Sequence, residues 1–160
     1  MNFIILCNRI QCMRVGKQFS NWSSVLSGIP QGSVLGPLLF VIYINDMSQY
    51  CLKLKSLYFF ADDAKCFAII RSLLDCEHFQ QNLVSISEWS KNWQLKLAVE
   101  KCKILSFSDH VEIISYDYSI NSIPLIRVSD ISDLGVIFSS NLSFSMHVDD
   151  ICNRARKKPQ

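Results

Sequence analysis

The chain has 160 residues, of which 49% are hydrophobic and 19% are charged, enough apolar material for the core of one domain and too much for a disordered chain. Sixteen Lys and Arg against fourteen Asp and Glu residues give a formal charge of +2, so no strongly basic stripe marks a nucleic-acid binder by charge alone. Five glycines and four prolines exclude a collagen-like chain or a Gly/Pro-rich linker.

The seven cysteines are odd in number and no two have CxxC spacing, which argues against a zinc knuckle or a disulfide framework. Free thiols suit a reducing compartment. The longest apolar run, residues 34–44, is interrupted by Gly36 and Pro37 and is shorter than the roughly 20 residues that a bilayer span needs. We therefore expect an intracellular protein that is neither secreted nor membrane-bound, in the nucleus or the cytoplasm.

The first part of the chain predicts short strands followed by a loop and a helix. Strands and a turn at Gly16 are expected over residues 1–26, and the loop over residues 27–32 contains two glycines and a proline. A helix should begin with Ser33 as its N-cap, tolerate Pro37 in its first turn and end at residues 45–46. Because this helix is apolar on nearly all sides, we expect it to be buried.

A hairpin and a long helix are predicted next. Apolar runs over residues 57–60 and 66–70 flank a short polar break and predict two strands, with Asp62 and Asp63 near the tip. Residues 72–93 have apolar side chains at helical spacing, and Ser72 and Asp75 form a capping-box pattern at the start. The apolar positions expected to face the core are Cys76, Phe79, Leu83, Ile86, Trp89 and Trp93.

The remainder reads as strands with a terminal helix. Strands are predicted over residues 103–107, 111–118, 123–128 and 134–138, and a short basic helix over 147–158. The order of the elements predicts an α+β domain in which helices pack on an antiparallel sheet.

The adjacent Asp62 and Asp63 are the first candidate for chemistry. Two neighbouring carboxylates between apolar strands repel each other, and a divalent cation such as Mg²⁺ relieves that repulsion. Two such ions about 3.5–4 Å apart form the clamp used in polymerases and nucleases. Taken alone, the pair also fits a solvated turn, because Asp is common in turns.

The loop before the first helix is the second candidate. It reads SGIPQGSVLGP, with the Gln31 amide held between Pro30 and Gly32. Glycines allow close backbone approach to a ligand, although they would also serve a simple loop preceding a helix.

These segments together resemble a known family. The text SGIPQGSVLGPLLFVIYIND, followed by FFADDAKCF, is similar to the palm domain of reverse transcriptases from non-long-terminal-repeat retrotransposons. The resemblance extends from about residue 8 almost to the end of the chain. It includes WSKNWQLKL at residues 89–97, KCK at 101–103, LGV at 134–136 and His147. It implies an α+β fold: an incomplete polymerase palm plus the start of a thumb. The expected division is lead-in strands over 1–26, palm over 27–138, and thumb start with a basic tail over 139–160.

The resemblance implies an RNA-directed DNA polymerase with named site residues. Asp62 would bind the catalytic metal ions with Asp63 beside it, the metal being Mg²⁺ with Mn²⁺ as the alternative. Lys101 would lie near the nucleotide phosphates and donate a proton to pyrophosphate. Pro30-Gln31-Gly32 would line the pocket for nucleotide and template, and Leu134-Gly135-Val136 would form the primer grip. The implied partners are an RNA template, a DNA primer and deoxynucleoside triphosphates.

The chain also departs from the family pattern. The resemblance implies a further Asp on an earlier strand, yet no Asp or Glu occurs between Met1 and Gly36, and no block resembling the fingers is present. Asp46 is better explained as a polar residue at a helix end. The pair Asp149-Asp150 lies near a predicted helix start, where the helix dipole favours carboxylates. Ala98 stands where the family often has Asn. We therefore expect the chain alone to be inactive or nearly so.

Three alternatives stay open at this point. The chain could be a non-catalytic remnant that binds nucleic acid through its basic end, residues 154–158. It could be a translated retroelement fragment without function, in which case an exposed apolar face would favour aggregation. It could also be one piece of a longer, active enzyme.

Overall fold

The computed structural model describes residues 8–26, 28, 32–50, 57–108 and 113–157. The chain divides into two compact units, Met1–Asp46 and Met47–Gln160. Helices and small, mostly antiparallel sheets make up the described part, which agrees with an α+β protein. Within that part, no helix is both long and apolar enough to cross a membrane.

Two short nested hairpins open the first unit. Strand β1 (Ile10–Gln11) pairs antiparallel with β4 (Ser23–Ser24), and β2 (Arg14–Val15) pairs antiparallel with β3 (Gln18–Phe19) inside them. The predicted turn at Gly16 is confirmed. Gly16 has a φ of 62°, and a left-handed residue at this position matches the turn to the twist of the flanking strands.

Helix α1 (Leu35–Ile44) completes the first unit, and two expectations about it are wrong. Val34, already in helical conformation, is the N-cap and supplies no capping oxygen, so Ser33 is not the cap. The helix is also largely exposed: apart from Gly36 and Ile44 its described side chains are not buried, and Leu38 is 56% exposed. The described part of this unit otherwise contains only two-residue strands, which offer no layer to cover a helix that is apolar all round.

The second unit begins with a one-turn helix and a hairpin. Helix α2 (Met47–Tyr50) was not predicted. Strand β5 (Leu57–Phe60) agrees with prediction, but its partner β6 spans Asp63–Cys66 instead of residues 66–70. The hairpin closes through a two-residue turn, Ala61–Asp62, in which Ala61 has a φ of 50°. Two-residue turns are the preferred hairpin connection, and this one draws Asp63 into the strand opposite Phe60.

Helix α3 (Leu73–Asn92) confirms the predicted long helix to within one residue at each end. Its N-cap is Ser72, whose Oγ accepts a hydrogen bond from the Asp75 backbone N–H at 3.3 Å. The Asp75 carboxylate accepts hydrogen bonds from the Ser72 hydroxyl at 2.8 Å and the Arg71 backbone N–H at 2.9 Å. The bond from the Asp75 N–H satisfies a backbone donor that the first helical turn leaves unpaired.

The core of the second unit lies along one face of α3. The predicted core positions are confirmed for Cys76, Phe79, Leu83, Ile86 and Trp89, with Cys76 and Trp89 fully buried. The prediction that Trp93 faces the core is wrong. Trp93 follows the last helical residue, beyond the face that the core covers, and is 42% exposed.

Six further strands and a terminal helix follow α3 in the described part. They are β7 (Lys103–Leu105), β8 (Ser119–Ile120), β9 (Ile123–Pro124), β10 (Ile126–Val128), β11 (Asp130–Asp133), β12 (Val136–Ser139) and helix α4 (Ser145–Arg156). β8–β9 and β11–β12 are antiparallel hairpins, and β8 packs against α3. Helix α4 lies against β12 and confirms the predicted terminal helix, two residues earlier.

The expected antiparallel sheet is confirmed only in part, as small hairpins and not as one continuous sheet. The described residues form six two-stranded sheets, and one of them, β7 with β10, is parallel. Residues 106–125 separate these strands and include the β8–β9 hairpin before β10. A connection of this length allows β10 to run in the same direction as β7, which a tight turn cannot do. Residues 113–118, predicted as strand, carry no ladder, and residues 109–112 lie outside the described part.

Candidate functional site

The acidic turn, Ala61–Asp63, lies at the tip of the β5–β6 hairpin. Asp62 occupies the second turn position, and Asp63 is the first residue of β6, paired with Phe60. Both aspartates are exposed. Within the described ranges their carboxylates make no hydrogen bond or ion pair, so both remain available to a ligand.

An ion pair joins this hairpin to the β11–β12 hairpin. The Lys65 Nζ atom lies 2.5 Å from the Asp133 Oδ2 atom, and the two side chains are only 27% and 28% exposed. Asp133 immediately precedes the turn formed by Leu134 and Gly135. The second unit therefore brings together the hairpin with Asp62 and Asp63 and the hairpin with the expected primer grip.

The expected primer grip is a turn followed by a strand. Leu134 and Gly135 form a two-residue turn with φ values of 48° and 85°, and β12 begins only at Val136. The predicted strand over 134–138 is thus wrong at its start, and β11 before it was not predicted. Positive φ at both central residues matches the twist of the flanking strands, which is why a glycine suits this position. Leu134 is 54% exposed.

Strand β12 is also hydrogen-bonded to helix α4. The Ile137 backbone N–H donates to the His147 Nδ1 atom at 3.4 Å, across the contact between the strand and the helix. His147 thus links helix α4 to strand β12. The aromatic rings of Phe138 and Phe144 meet edge to face, with centroids 6.1 Å apart.

Lys101 lies in a short 3₁₀ helix, Val99–Lys101, between α3 and β7. Its side chain is exposed and forms no ion pair within the part of the chain that the structure describes. No hydrogen bond or ion pair joins it to the acidic turn in that part. Ala98 precedes the 3₁₀ helix and supplies no side-chain cap, and its carbonyl accepts from the Cys102 thiol at 3.6 Å. Burial, followed by the Glu100 carboxylate, raises the pKa of that thiol.

The glycine loop belongs to the first unit and is only partly described. Pro30 and Gln31 lie outside the described residues. Gly28 and Gly32 have φ values of 77° and 78°, so the backbone is bent as the sequence indicates. A methyl group added at Gly32 would meet open space, so its conformation, not crowding, calls for glycine there. The Gly28 carbonyl accepts a hydrogen bond from the Arg9 side chain.

The donors at the acidic turn suit a hard divalent cation. Mg²⁺ prefers carboxylate oxygens and is commonly held by one or two of them, with water and substrate phosphates completing its shell. Asp62 and Asp63 supply such oxygens. The described residues contain no cluster of three or more His, Cys, Asp or Glu side chains suited to a metal ion, so this pair is not part of a larger one there.

Sequence comparison tests the resemblance to a polymerase family. The family model described as reverse transcriptase (RNA-dependent DNA polymerase) matches residues 3–138, which include the glycine loop, the acidic turn and the 134–136 turn. The chain belongs to the reverse transcriptase family. The resemblance to this family is therefore confirmed.

The chain is similar to polymerases of insect mobile elements. It is 32% identical over 154 residues to the probable RNA-directed DNA polymerase from transposon X-element of Drosophila melanogaster, covering 91% of the chain and 16% of that protein. It is 26% identical over 146 residues to the RNA-directed DNA polymerase from mobile element jockey of the same species, covering 87% of the chain and 16% of that protein. The chain thus spans only 16% of the length of these relatives. No solved structure gives a significant match.

Sequence reasoning missed Asp133, which contacts the hairpin of the candidate site through Lys65. Its partner Lys65 stands in the FADDAK text, two residues after Asp63. Asp133 carries no comparable local signal, because its contact with Lys65 depends on the β11–β12 hairpin, whose register was not predicted.

Proposed function

We propose that this chain contributes the metal-binding turn of an RNA-directed DNA polymerase. In the proposed reaction a primer 3′-hydroxyl attacks the α-phosphate of a deoxynucleoside triphosphate in line, and pyrophosphate leaves. The observation that carries the proposal is a pair of exposed aspartates, Asp62 and Asp63, at a hairpin tip inside the matched family span, with no partner among the described residues. The RNA template, the DNA primer and the nucleotide are the corresponding substrates.

Asp62 and Asp63 would hold Mg²⁺, or Mn²⁺ in its place, which supplies charge stabilisation to the attacking and leaving oxygens in a two-metal arrangement. The strand–turn geometry supports this role, because it presents both carboxylates at the hairpin tip without protein partners in the described part.

The other expected site residues have distinct proposed roles. The exposed Lys101 ammonium would donate a proton to the leaving pyrophosphate. The exposed side chain of Leu134 would contact the primer beside Gly135 and Val136. The Pro30-Gln31-Gly32 loop would line the pocket for the nucleotide and template, and the left-handed conformation of Gly32 supports a close backbone approach there.

We further propose that the palm formed by these 160 residues is incomplete and does not catalyse extension by itself. No carboxylate occurs before Asp46, and no third ligand joins Asp62 and Asp63 in the described part. A missing carboxylate leaves the cations poorly compensated, and each loss of about 1.4 kcal/mol in transition-state stabilisation slows the reaction tenfold. A further carboxylate from other polypeptide would complete the site.

Primer extension and metal binding test these proposals separately. The purified chain is mixed with an RNA template, a labelled DNA primer, nucleotides and Mg²⁺, and Mn²⁺ binding is measured by electron paramagnetic resonance. We expect no extension, and Mn²⁺ binding that weakens in Asp62→Asn but not in the matched variant Asp117→Asn, at an exposed aspartate elsewhere. Extension that disappears in Asp62→Asn would refute the inactivity. Mn²⁺ binding that is indifferent to Asp62 would refute the metal role.

A second candidate function is nucleic-acid binding without catalysis. At the end of α4, Arg154 is engaged by Asp150, whereas Arg156 and Lys157 are exposed and form no ion pair in the described residues. Two free cations at one helix end can neutralise phosphates of a template–primer duplex.

The salt dependence of duplex binding tests this candidate. For the chain binding an RNA–DNA duplex, the slope of log K against log salt should fall in magnitude by about 2 in the double variant Arg156→Gln/Lys157→Gln, because each phosphate contact contributes about 0.9. The matched double variant Lys91→Gln/Lys96→Gln removes the same charge elsewhere and should leave the slope unchanged. A flat salt curve for the unmodified chain would contradict binding and favour a translated fragment without function.

A further inference from the structure

Lys65 is the single cation of the β5–β6 hairpin, whose residues 57–66 read LYFFADDAKC. In the structure its ammonium is engaged by Asp133 of the neighbouring hairpin, at 2.5 Å. The two carboxylates of its own hairpin, those of Asp62 and Asp63, are unpaired in the described part of the chain. The cation nearest in sequence to the acidic turn is therefore held by an anion from a different hairpin.

Strand geometry makes Asp63 the natural alternative partner of Lys65. The two residues are separated by one position on β6, so their side chains project from the same face of the strand, about 7 Å apart at the backbone. A flexible lysine side chain can cover that distance. Without Asp133, the ammonium would find the Asp63 carboxylate as the next anion along its own strand.

A lysine placed there would oppose the proposed metal role. An ammonium at the acidic turn occupies carboxylate oxygens and repels an incoming divalent cation.

We propose that Asp133 is a positioning residue that holds Lys65 away from the acidic turn and so leaves Asp62 and Asp63 open to a divalent cation. The inference rests on the proposed function of those two aspartates as metal ligands. Asp133 acts through Lys65 and is not itself a ligand of the cation.

Mn²⁺ titration of the full chain, followed by electron paramagnetic resonance, tests the inference. In Asp133→Asn the released ammonium should weaken Mn²⁺ binding by about fivefold to tenfold, the effect of a unit charge on a divalent ion ~7 Å away in water. Adding Lys65→Gln to Asp133→Asn should restore the binding of the unmodified chain. The matched variant Asp130→Asn removes the same charge from the same strand without releasing Lys65, and should leave Mn²⁺ binding nearly unchanged.

Two results of this titration would overturn the proposal. Unchanged Mn²⁺ binding in Asp133→Asn would show that Lys65 does not compete at the acidic turn. Weak binding that persists in the double variant Lys65→Gln/Asp133→Asn would show that Asp133 acts on the cation directly. Circular dichroism melts of each variant establish that the chain remains folded.

A metal-free measurement separates this inference from the proposed function. If Mn²⁺ binding of the unmodified chain does not depend on Asp62, the proposed metal role fails, and the partner of Lys65 is then decided by nuclear magnetic resonance. Hydrogen-bond scalar coupling should connect the Lys65 Nζ atom with the Asp133 carboxyl carbon in the unmodified chain, and with the Asp63 carboxyl carbon in Asp133→Asn. A coupling that does not move to Asp63 overturns the inference.

Discussion

Replacing Gly135 by alanine isolates the conformational demand of the β11–β12 turn. Gly135 has a φ of 85°, and a methyl group added to it would meet no heavy atom within 4 Å. Steric crowding therefore contributes nothing, and the effect of the substitution comes from the backbone alone. The left-handed conformation costs an L-residue about 1–2 kcal/mol, whereas glycine adopts it freely.

The magnitude follows from two opposing effects. Alanine also reduces the freedom of the unfolded chain, which recovers about 0.4–1 kcal/mol. The strain is larger, so Gly135→Ala should lower the free energy of unfolding by about 1 kcal/mol. With a urea m-value of about 2 kcal/mol per molar, the midpoint of a urea melt should fall by ~0.5 M with the m-value unchanged.

Asparagine at the same position is the matched control. Its side chain is larger than that of alanine, but asparagine tolerates the left-handed region far better. Gly135→Asn should therefore shift the urea midpoint by less than half as much as Gly135→Ala. The reasoning is refuted if alanine leaves the midpoint unchanged, or if asparagine costs as much as alanine, because size and not conformation would then control the effect.

Helix α3 supplies three further predictions, each checked by urea melts. Trp89→Ala removes a fully buried ring and should cost about 3–5 kcal/mol, whereas Trp93→Ala, at 42% exposure, should cost less than half as much. Gln80→Ala breaks two 2.9 Å hydrogen bonds to the backbone of β8 and should cost about 1–2 kcal/mol. The hydrogen bond from the Arg71 N–H lowers the pKa of Asp75 below its usual value of 3.8. The destabilisation by Asp75→Asn should therefore be complete above pH 3.8 and should vanish as the pH falls through the lowered pKa. The burial argument is contradicted if the two tryptophan variants lose the same free energy of unfolding. The hydrogen-bond arguments are contradicted if Gln80→Ala leaves that free energy unchanged or if the cost of Asp75→Asn does not depend on pH.

Helix α3 shows how much of the fold local sequence can predict. Its apolar residues recur at helical spacing over 20 residues, and its start carries a serine cap followed by Asp75. Both signals lie within the segment itself, so the boundaries agree to one residue. Trp93 fits the same periodicity but lies beyond the last helical turn, where the periodicity no longer describes which side chains face the core.

The strands were predicted less well, because pairing is a property of two segments at once. The apolar sequence of residues 66–70 predicts the second strand of the hairpin that carries Asp62 and Asp63. The two-residue turn at Ala61–Asp62 instead places that strand at Asp63–Cys66. A shift of register changes which residues oppose each other and which face the core. Parallel pairing of β7 with β10 likewise depends on a connection that residue spacing does not reveal.

The sequence alone determined the family of this protein and the candidate residues of its site. SGIPQGS and FADD are short contiguous motifs, and their order and separation suffice to identify a reverse transcriptase domain. Only the tertiary structure decided that Asp133 holds Lys65, that α1 is largely exposed and that Leu134 and Gly135 form a turn. The ion pair depends on two hairpins that are distant along the chain, and the turn depends on the pairing of β11 with β12. The exposure of α1 reflects the lack of a covering layer in the described part of its unit. Side-chain types and spacing constrain such contacts without specifying them.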